Sequence, residues 1–189
     1  SNVVHACYKE GVKRLLASLS TCAFPDRVHR YPFSEKDLLS GPPAETNRAY
    51  GFTKRALYIQ LQSYRKQYGL DYSCFCPSNL YGPEDHFDTE KSHFIPAAIR
   101  KIHEAKNDDV VDFWGTGTPL RQQLFVDDLC KAIPELLDEH HTDVPLIVAP
   151  DENLSIKEMA VICKSIIGRR VQFSFNGNLD GQYRKDGSN

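Results

Sequence analysis

The chain lacks long hydrophobic runs and any excess of basic residues, and each absence excludes a class of protein. Its apolar runs are a few residues long and are interrupted by charges, so no segment is predicted to span a membrane. The first residues have neither the basic start nor the apolar core of a signal peptide, so we expect a cytoplasmic protein. A formal net charge of −2 argues against a general nucleic-acid binder.

The cysteines include no C-x-x-C pair, which argues against a redox or zinc motif. All six are therefore predicted to be reduced thiols, mostly buried, and Cys74 and Cys76 alternate with Phe75 as neighbours in a strand do. His140 and His141 are adjacent and cannot both face one metal ion from a helix. We therefore predict no metal site. The length of 189 residues suits one domain or one and a half.

The chain also lacks the glycine-rich phosphate-binding loop of a dinucleotide-binding fold. Such a fold normally opens with a strand, the motif Gly-x-Gly-x-x-Gly and a helix. Here the single Gly-x-Gly, at Gly115 and Gly117, has Leu120 in place of the third glycine and predicts a turn. The chain begins without Met on a predicted helix, 2–10. We therefore expect the glycine-rich half of a nucleotide-binding domain to be missing from this sequence.

Hydrophobic periodicity predicts an α/β protein. A strand at 14–19, a helix at 50–68 and a strand at 72–76 imply a parallel sheet. Residues 24–47 and 77–83 are predicted loops. The later predicted elements are a helix at 92–105, strands at 110–113 and 123–126, a helix capped near Asp127 and kinked or interrupted by Pro134, a strand at 145–149, a helix at 156–167 with a Ser155–Glu158 capping box, a strand at 171–175 and a polar tail.

The carboxyl ends of the first two predicted strands are candidate positions for a ligand site, as in other open α/β sheets. Ser20 follows one strand and Asn79 the other. On the helix between them, Tyr50 is the only Tyr with a Lys, Lys54, four residues later. Both side chains share one helix face, and the Lys charge favours the phenolate. About 0.6 such pairs are expected by chance, so the spacing predicts carbonyl reduction only in combination with its position.

Taken together, these motifs resemble the extended short-chain dehydrogenase/reductase family, whose active sites use a strand-end Ser or Thr and a Tyr-x-x-x-Lys helix. The resemblance covers essentially all 189 residues. It is strongest to members that act on GDP-4-keto-6-deoxy-mannose. The matching segments are Ser-Thr-Cys at 20–22, Tyr-Gly-Phe-Thr-Lys at 50–54, Pro-Ser-Asn-Leu-Tyr-Gly-Pro-Glu-Asp at 77–85, Ser-His-Phe-Ile-Pro at 92–96, Trp-Gly-Thr-Gly at 114–117, and Arg121 with Val-Asp-Asp at 126–128.

The resemblance implies the C-terminal part of a Rossmann-like doubly wound parallel sheet with a smaller α/β substrate-binding region. Residues 1–83 would be a partial NAD(P)-binding Rossmann domain. Residues 84–189 would mainly bind substrate, with some segments returning to the Rossmann domain. The implied activity is NADPH-dependent epimerisation at C3 and C5 and reduction at C4 of GDP-4-keto-6-deoxy-D-mannose to GDP-L-fucose, by a homodimer.

The resemblance also implies a role for each site residue. Cys22 would be the epimerisation base and His93 the acid, while Tyr50 would protonate the C4 oxygen, assisted by Ser20 and Lys54. The implied NADP contacts are Ser18, Leu19, Ser20, Thr21, Lys54, Pro77, Ser78, Asn79, Leu80 and His93. The implied GDP-sugar contacts are Lys101, Trp114, Arg121 and Asp180.

Two alternatives remain open from the sequence. The first is another nucleotide-sugar reductase, 4-epimerase or dehydratase that shares Ser20, Tyr50 and Lys54; loss of activity on replacing Cys22 or His93 would exclude it. The second is a non-catalytic binding module derived from such an enzyme, which the missing glycine-rich loop favours. Because that loop is missing, we expect this chain to bind NADPH weakly or not at all, and stabilisation by micromolar NADPH would contradict this expectation.

Overall fold

Five α-helices and ten short strands lie within residues 2–89, 91–177 and 184–187, the part of the chain that the computed structural model describes. The helices are α1 (Asn2–Lys9), α2 (Arg48–Tyr68), α3 (Phe94–Glu104), α4 (Val126–Glu139) and α5 (Ile156–Ile167). The strands are β1 (Arg14–Ser18), β2 (Asp71–Pro77), β3 (Asn79–Tyr81), β4 (Val110–Phe113), β5 (Leu120–Arg121), β6 (Gln123–Phe125), β7 (Leu146–Val148), β8 (Leu154–Ser155), β9 (Gln172–Phe175) and β10 (Arg184–Lys185). No helix among these is both long and apolar enough to cross a membrane.

The central sheet has the order β1-β2-β7, and all its strands are parallel. Helix α2 makes the crossover from β1 to β2 and packs on the sheet beside α1. Strand β2 is buried from Tyr72 to its end, which explains its nearly continuous apolar sequence. Tyr72 also packs with Leu61 of α2 in the main core. The predicted α/β architecture with a Rossmann-like parallel sheet is confirmed.

Three smaller sheets follow, and the strands that pair within each of them come from distant parts of the chain. β4 pairs with β9, and β5 lies between β10 and β8. β3 pairs in parallel with β6, so the prediction of an uninterrupted loop at 77–83 was wrong. The prediction of a polar tail after β9 was also wrong in part, because β10 lies in this segment and pairs with β5. Local sequence patterns report strands poorly when the pairing partner is remote and the strand is only two or three residues long.

The helix ends show which local signals were read correctly. Gly69 and Gly168 end α2 and α5 in the left-handed conformation, with φ of 64° and 74°. The Ser155–Glu158 capping box is confirmed. The cap predicted near Asp127 was wrong: α4 begins at Val126, and Asp127 lies in its first turn, where a carboxylate favours the positive end of the helix dipole.

Helix α4 also runs through Pro134 to Glu139, so of the predicted kink or interruption at this residue, the interruption was wrong. Its last turn has an external partner. The Arg14 guanidinium donates hydrogen bonds to the carbonyl oxygens of Leu136, Leu137 and His140 at 2.9, 3.0 and 2.9 Å. These bonds engage carbonyls at the helix end, where the intrahelical hydrogen bonds stop, and fasten α4 to the start of β1.

At this same end of the sheet, an ionic cluster surrounds Asp71. Its carboxylate accepts a hydrogen bond from Arg65 at 2.9 Å and one from His141 Nδ1 at 2.6 Å. His141 Nε2 lies 2.7 Å from the Asp138 carbonyl oxygen, so both ring nitrogens face acceptors and this geometry favours the protonated ring. The hydrogen bond to Asp71 raises the His141 pKa. Burial alone would raise the Asp71 pKa, but the bonds from His141 and Arg65 hold it below its ordinary value.

We expect this cluster to make stability depend on pH. A raised His141 pKa stabilises the fold below the ordinary histidine value of about 6.5, and that contribution is lost as pH rises through the folded-state pKa. A lowered Asp71 pKa stabilises the fold above the ordinary Asp value and is lost in acid. The His141→Gln variant should therefore be less stable than wild type at about pH 5.5, with a smaller difference at about pH 8. Urea unfolding midpoints measure this, and equal differences at both pH values would contradict it.

Candidate active site

A cavity of about 630 Å³ opens at the carboxyl ends of β1 and β2. Its lining comes from the turn after β1, the first two turns of α2, the segment after β2, the starts of α3 and α4, and strand β10. The lining residues are Ser18, Leu19, Ser20, Thr21, Cys22, Asn47, Tyr50, Lys54, Pro77, Ser78, Asn79, Leu80, Tyr81, Gly82, Pro83, Glu84, Asp85, His93, Val126 and Lys185. The cavity therefore brings together every residue that the sequence predicted as catalytic or cofactor-binding.

The turn after β1 presents Cys22 to this cavity. The Leu19 N–H donates to the Phe75 carbonyl at 2.7 Å, which extends the pairing of β1 with β2 by one residue. The chain then makes a single 3-10 turn, Thr21–Ala23, in which the Ser20 hydroxyl accepts a hydrogen bond from the Cys22 N–H at 3.2 Å. The Arg55 Nε of α2 donates to the Ala23 carbonyl at 2.6 Å. The turn is thus held by backbone groups and α2, and not by the Cys22 side chain.

Helix α2 places Tyr50 and Lys54 on the same side of the cavity. The Lys54 ammonium donates to the Ser18 carbonyl at 2.9 Å and lies 5.6 Å from the centre of the Tyr50 ring. The Tyr50 side chain is 48% exposed, so its hydroxyl is accessible to a ligand. The predicted pair on one helix face is therefore present, next to the strand end that carries Ser20.

Gly51 allows α2 to approach the turn closely. A Cβ at this position would lie 2.6 Å from the Cys22 carbonyl oxygen and 2.7 Å from Pro43 Cβ. Both contacts are with groups that cannot rotate away. Gly51 was not among the predicted site residues, although a glycine inside a helical pattern is a recognisable signal of close packing.

We expect Gly51→Ala to be destabilising, contrary to the usual effect of this substitution in a helix. Alanine gains about 1 kcal/mol in helix propensity, but overpacking against fixed atoms costs about 1–3 kcal/mol and displaces the Cys22 turn. Urea unfolding should show a net loss. The matched control, Ala56→Gly at an exposed position of α2, should lose only the propensity difference. A Gly51→Ala protein as stable as wild type would show that the turn yields without cost.

Another part of the cavity lining follows β2. Pro77 and Ser78 are buried, and the Asn79 side chain donates to the Gln122 carbonyl at 3.1 Å, which ties β3 to the neighbouring strand. His93 immediately precedes α3 and has an exposed side chain. Cys22 and His93, predicted as base and acid, therefore line one cavity from different elements.

The groups near the ends of β1 and β2 fit the nicotinamide end of a dinucleotide. The Ser78 hydroxyl is buried and has no hydrogen-bond partner among the described residues, so it is available to a polar ligand group. Lys54 supplies a positive charge beside Tyr50. The turn at Gly115 and Gly117 does not form a phosphate-binding loop. The Phe175 ring occupies the space beside Gly117, since a Cβ added to this glycine would lie 2.8 Å from the ring.

The six thiols differ in their surroundings. Burial raises the pKa of Cys74 to about 12 and raises that of Cys76 as well, so both strand thiols stay protonated at neutral pH. The prediction that the cysteines are mostly buried was wrong, since only these two are; three are partly exposed and Cys130 is exposed. The other four cysteines lie on helices or in the turn after β1, near the surface, and are therefore less buried than the two in β2. Cys22 is half-buried in the cavity, and the Lys185 ammonium donates a hydrogen bond to its sulfur at 3.0 Å.

The predicted sugar-nucleotide residues lie outside the lining of this cavity. Lys101 donates to the Asp112 carbonyl at 2.9 Å in a separate cleft between α3 and β4. Trp114 follows β4 and is 58% exposed. Arg121 lies on β5, directly opposite Lys185 of β10. Asp180 lies outside the described residues.

Eight lining residues were not among the predicted site residues: Asn47, Val126, Lys185 and the segment 81–85. Asn47 immediately precedes α2, and Val126 begins α4. Lys185 lies 163 residues after Cys22, in a segment predicted to be a tail. No local signal identified it.

This chain resembles known proteins over nearly its whole length. The chain is 40% identical to a probable GDP-L-fucose synthase 1 of Oryza sativa subsp. japonica and 34% identical to the GDP-L-fucose synthase of Escherichia coli, over 98% of this chain in each case. It spans only 57% and 61% of those relatives. The structure of a GDP-L-fucose synthetase from Naegleria fowleri, bound to NADP, superposes with a TM-score of 0.90 and 32% identity over all of this chain and 61% of that protein.

A family model gives the same result. The model of the NAD dependent epimerase/dehydratase family matches residues 1–148, which contain β1, α2, β2 and all five predicted catalytic residues. Sequence motifs, parallel sheet, cavity and comparisons are mutually consistent. The chain therefore belongs to the NAD dependent epimerase/dehydratase family.

Proposed function

We propose that the protein epimerises C3 and C5 of GDP-4-keto-6-deoxy-D-mannose and reduces C4 with NADPH to give GDP-L-fucose. The observation that carries this proposal is the gathering of Ser20, Cys22, Tyr50, Lys54 and His93 around one cavity. The first step needs a base and an acid on opposite faces of the sugar, and the second needs a proton donor for the ketone oxygen. The names of the relatives support the same reaction.

The roles follow from the chemistry of each group. Cys22 takes the proton next to the ketone and His93 returns one, since a ketone makes its neighbouring C–H bonds acidic. NADPH, when bound, supplies a hydride to C4. Tyr50 gives its proton to the C4 oxygen, which the Ser20 hydroxyl also binds, and Lys54 stabilises negative charge beside Tyr50. Ser18, Leu19, Thr21 and the segment 77–80 form the cofactor side of the cavity.

The GDP part is proposed to bind outside this cavity, at Lys101, Trp114 and Arg121, with Asp180. Cationic side chains suit a diphosphate, and an exposed indole provides an apolar surface for a ring. We also propose the division at residues 83 and 84 into a partial cofactor domain and a mainly substrate-binding region. Pairing of β7 with β2 supports the return of later segments to the first domain. A cytoplasmic homodimer remains a prediction.

Proton exchange tests this proposal without requiring bound NADPH. The substrate is already a ketone, so exchange at C3 and C5 needs only acid and base groups. We expect the chain, incubated with GDP-4-keto-6-deoxy-D-mannose in D₂O, to incorporate deuterium at C3 and C5, as measured by NMR. A reductase that does not epimerise would leave both positions protonated. Absence of exchange would therefore contradict the proposed epimerisation.

A further inference from the structure

The C-terminal described segment forms part of the cavity. The Asp186 carbonyl accepts a hydrogen bond from the Phe33 N–H at 2.8 Å. The Gly187 N–H and carbonyl bind the buried Gln122 side chain at 2.8 and 3.0 Å. Because β10 also pairs with β5, which Gln122 directly follows, the backbone around Lys185 is held by two separate parts of the fold. Its side chain therefore enters the cavity from a defined direction.

Lys185 carries a charge in an unusual setting. The residue is only 8% exposed, and its ammonium donates a hydrogen bond to the Cys22 sulfur at 3.0 Å. Among residues 2–89, 91–177 and 184–187, no carboxylate forms an ion pair with it. A buried charge is costly unless an opposite charge compensates it. A thiolate on Cys22 would be that counter-charge.

We propose that Lys185 is a positioning residue that holds Cys22 as a thiolate aimed into the cavity, ready to act as the epimerisation base. This inference rests on the proposed function and adds a residue to it. Lys185 keeps its proton throughout and does not exchange it with the sugar. Its effect is exerted through the sulfur, by charge and by the direction of the N–H bond.

The proton balance is complete within the site. The Cys22 thiolate takes a proton from the sugar carbon next to C4, so an S–H bond forms and the C–H electron pair passes into an enolate. The His93 imidazolium then protonates the opposite face, its N–H bond breaks, and the ketone is restored. Transfer of the thiol proton to His93, with exchange of the protons on both groups with water, returns Cys22 and His93 to their starting states for the second carbon.

Alkylation of the cysteines tests the inference without substrate. Iodoacetamide reacts with thiolates, and peptide mass spectrometry distinguishes the six cysteines. In wild type at about pH 7, Cys22 should react about tenfold faster than Cys130, although Cys130 is the more exposed. This comparison needs no variant. Equal or slower reaction of Cys22 would overturn the inference.

Two variants separate charge from packing. Lys185→Met keeps a side chain of similar length without charge and should slow Cys22 alkylation about tenfold, whereas Lys185→Arg should remain within about threefold of wild type. Lys131→Met removes an exposed charge from α4 and should have no effect. The buried thiols Cys74 and Cys76 report folding in the same experiment, since they react only when the protein opens. An unchanged Cys22 rate in folded Lys185→Met would refute the role.

Deuterium incorporation distinguishes this inference from the proposed function. If wild type exchanges C3 and C5 and folded Lys185→Met does so at the same rate, the role of Lys185 fails and the function stands. If wild type does not exchange these protons, the proposed function fails, whatever the thiol reactivity. Slower exchange in Lys185→Met with retention in Lys185→Arg is the expected result.

Discussion

The Cys22→Ser variant is expected to exchange the C3 and C5 protons of GDP-4-keto-6-deoxy-D-mannose at least about 100-fold more slowly than wild type. A serine hydroxyl is a much weaker acid than a thiol, so at neutral pH it stays protonated and cannot accept a proton as a base. The fold should remain intact. The turn is held by the Ser20 hydroxyl, the Cys22 N–H and Arg55, none of which the substitution removes.

The control for this prediction is Cys130→Ser on α4, which removes an exposed thiol outside the cavity and should exchange at the wild-type rate. Deuterium incorporation by NMR without NADPH isolates the epimerisation from the reduction. Wild-type exchange in Cys22→Ser would mean that another group is the base. In that case the resemblance would support only the reduction of C4. His93 would then act as the acid together with a base other than Cys22.

The Tyr50→Phe variant is expected to lower the rate of C4 reduction by about 10²- to 10⁴-fold, the usual contribution of a positioned proton donor. Phenylalanine preserves the ring and its contact with the Lys54 ammonium, so the loss is confined to the hydroxyl proton. Exchange at C3 and C5 should stay within about threefold of wild type, because that step uses Cys22 and His93. The two halves of the reaction should therefore separate cleanly.

Reduction is measured as the loss of NADPH absorbance. Both variants are compared with wild type in a form of the protein for which this loss is detectable. Tyr68→Phe is a matched control, because Tyr68 lies at the far end of the same helix and outside the cavity lining. It should reduce C4 at the wild-type rate. A Tyr50→Phe protein with unimpaired reduction would remove Tyr50 from the mechanism and leave the Ser20 hydroxyl or a water as the donor.

Much of the main sheet and its crossover helix was predictable from the sequence. Strand β2 is buried over nearly its whole length, and Leu15 and Ala17 of β1 pack against the same core. Helix α2 ends at Gly69, which adopts the left-handed conformation. The Tyr50–Lys54 spacing likewise placed two polar groups on one helix face. These features depend on residues a few positions apart, so local sequence patterns carry the information.

Other features were invisible locally. The pairing of β3 with β6 joins segments more than forty residues apart, as the Asn79–Gln122 bond shows, and each strand has only three residues. The approach of α2 to the Cys22 turn at Gly51 depends on how two elements pack, which no helical pattern states. Pro134 is a typical helix breaker, yet α4 continues through it to Glu139, where Arg14 of β1 binds carbonyls near the helix end.

The sequence by itself determined the chemical groups of the site and the local elements that carry them, because helix faces, strand ends and caps are set by neighbouring residues. The tertiary structure decided which groups meet. It placed Lys185 at 3.0 Å from Cys22 across 163 residues of chain, and it left Lys101 and Trp114 outside the cavity. Such contacts arise from the packing of β10 against β5 and of α2 against the sheet. Local periodicity does not specify which distant elements pack together.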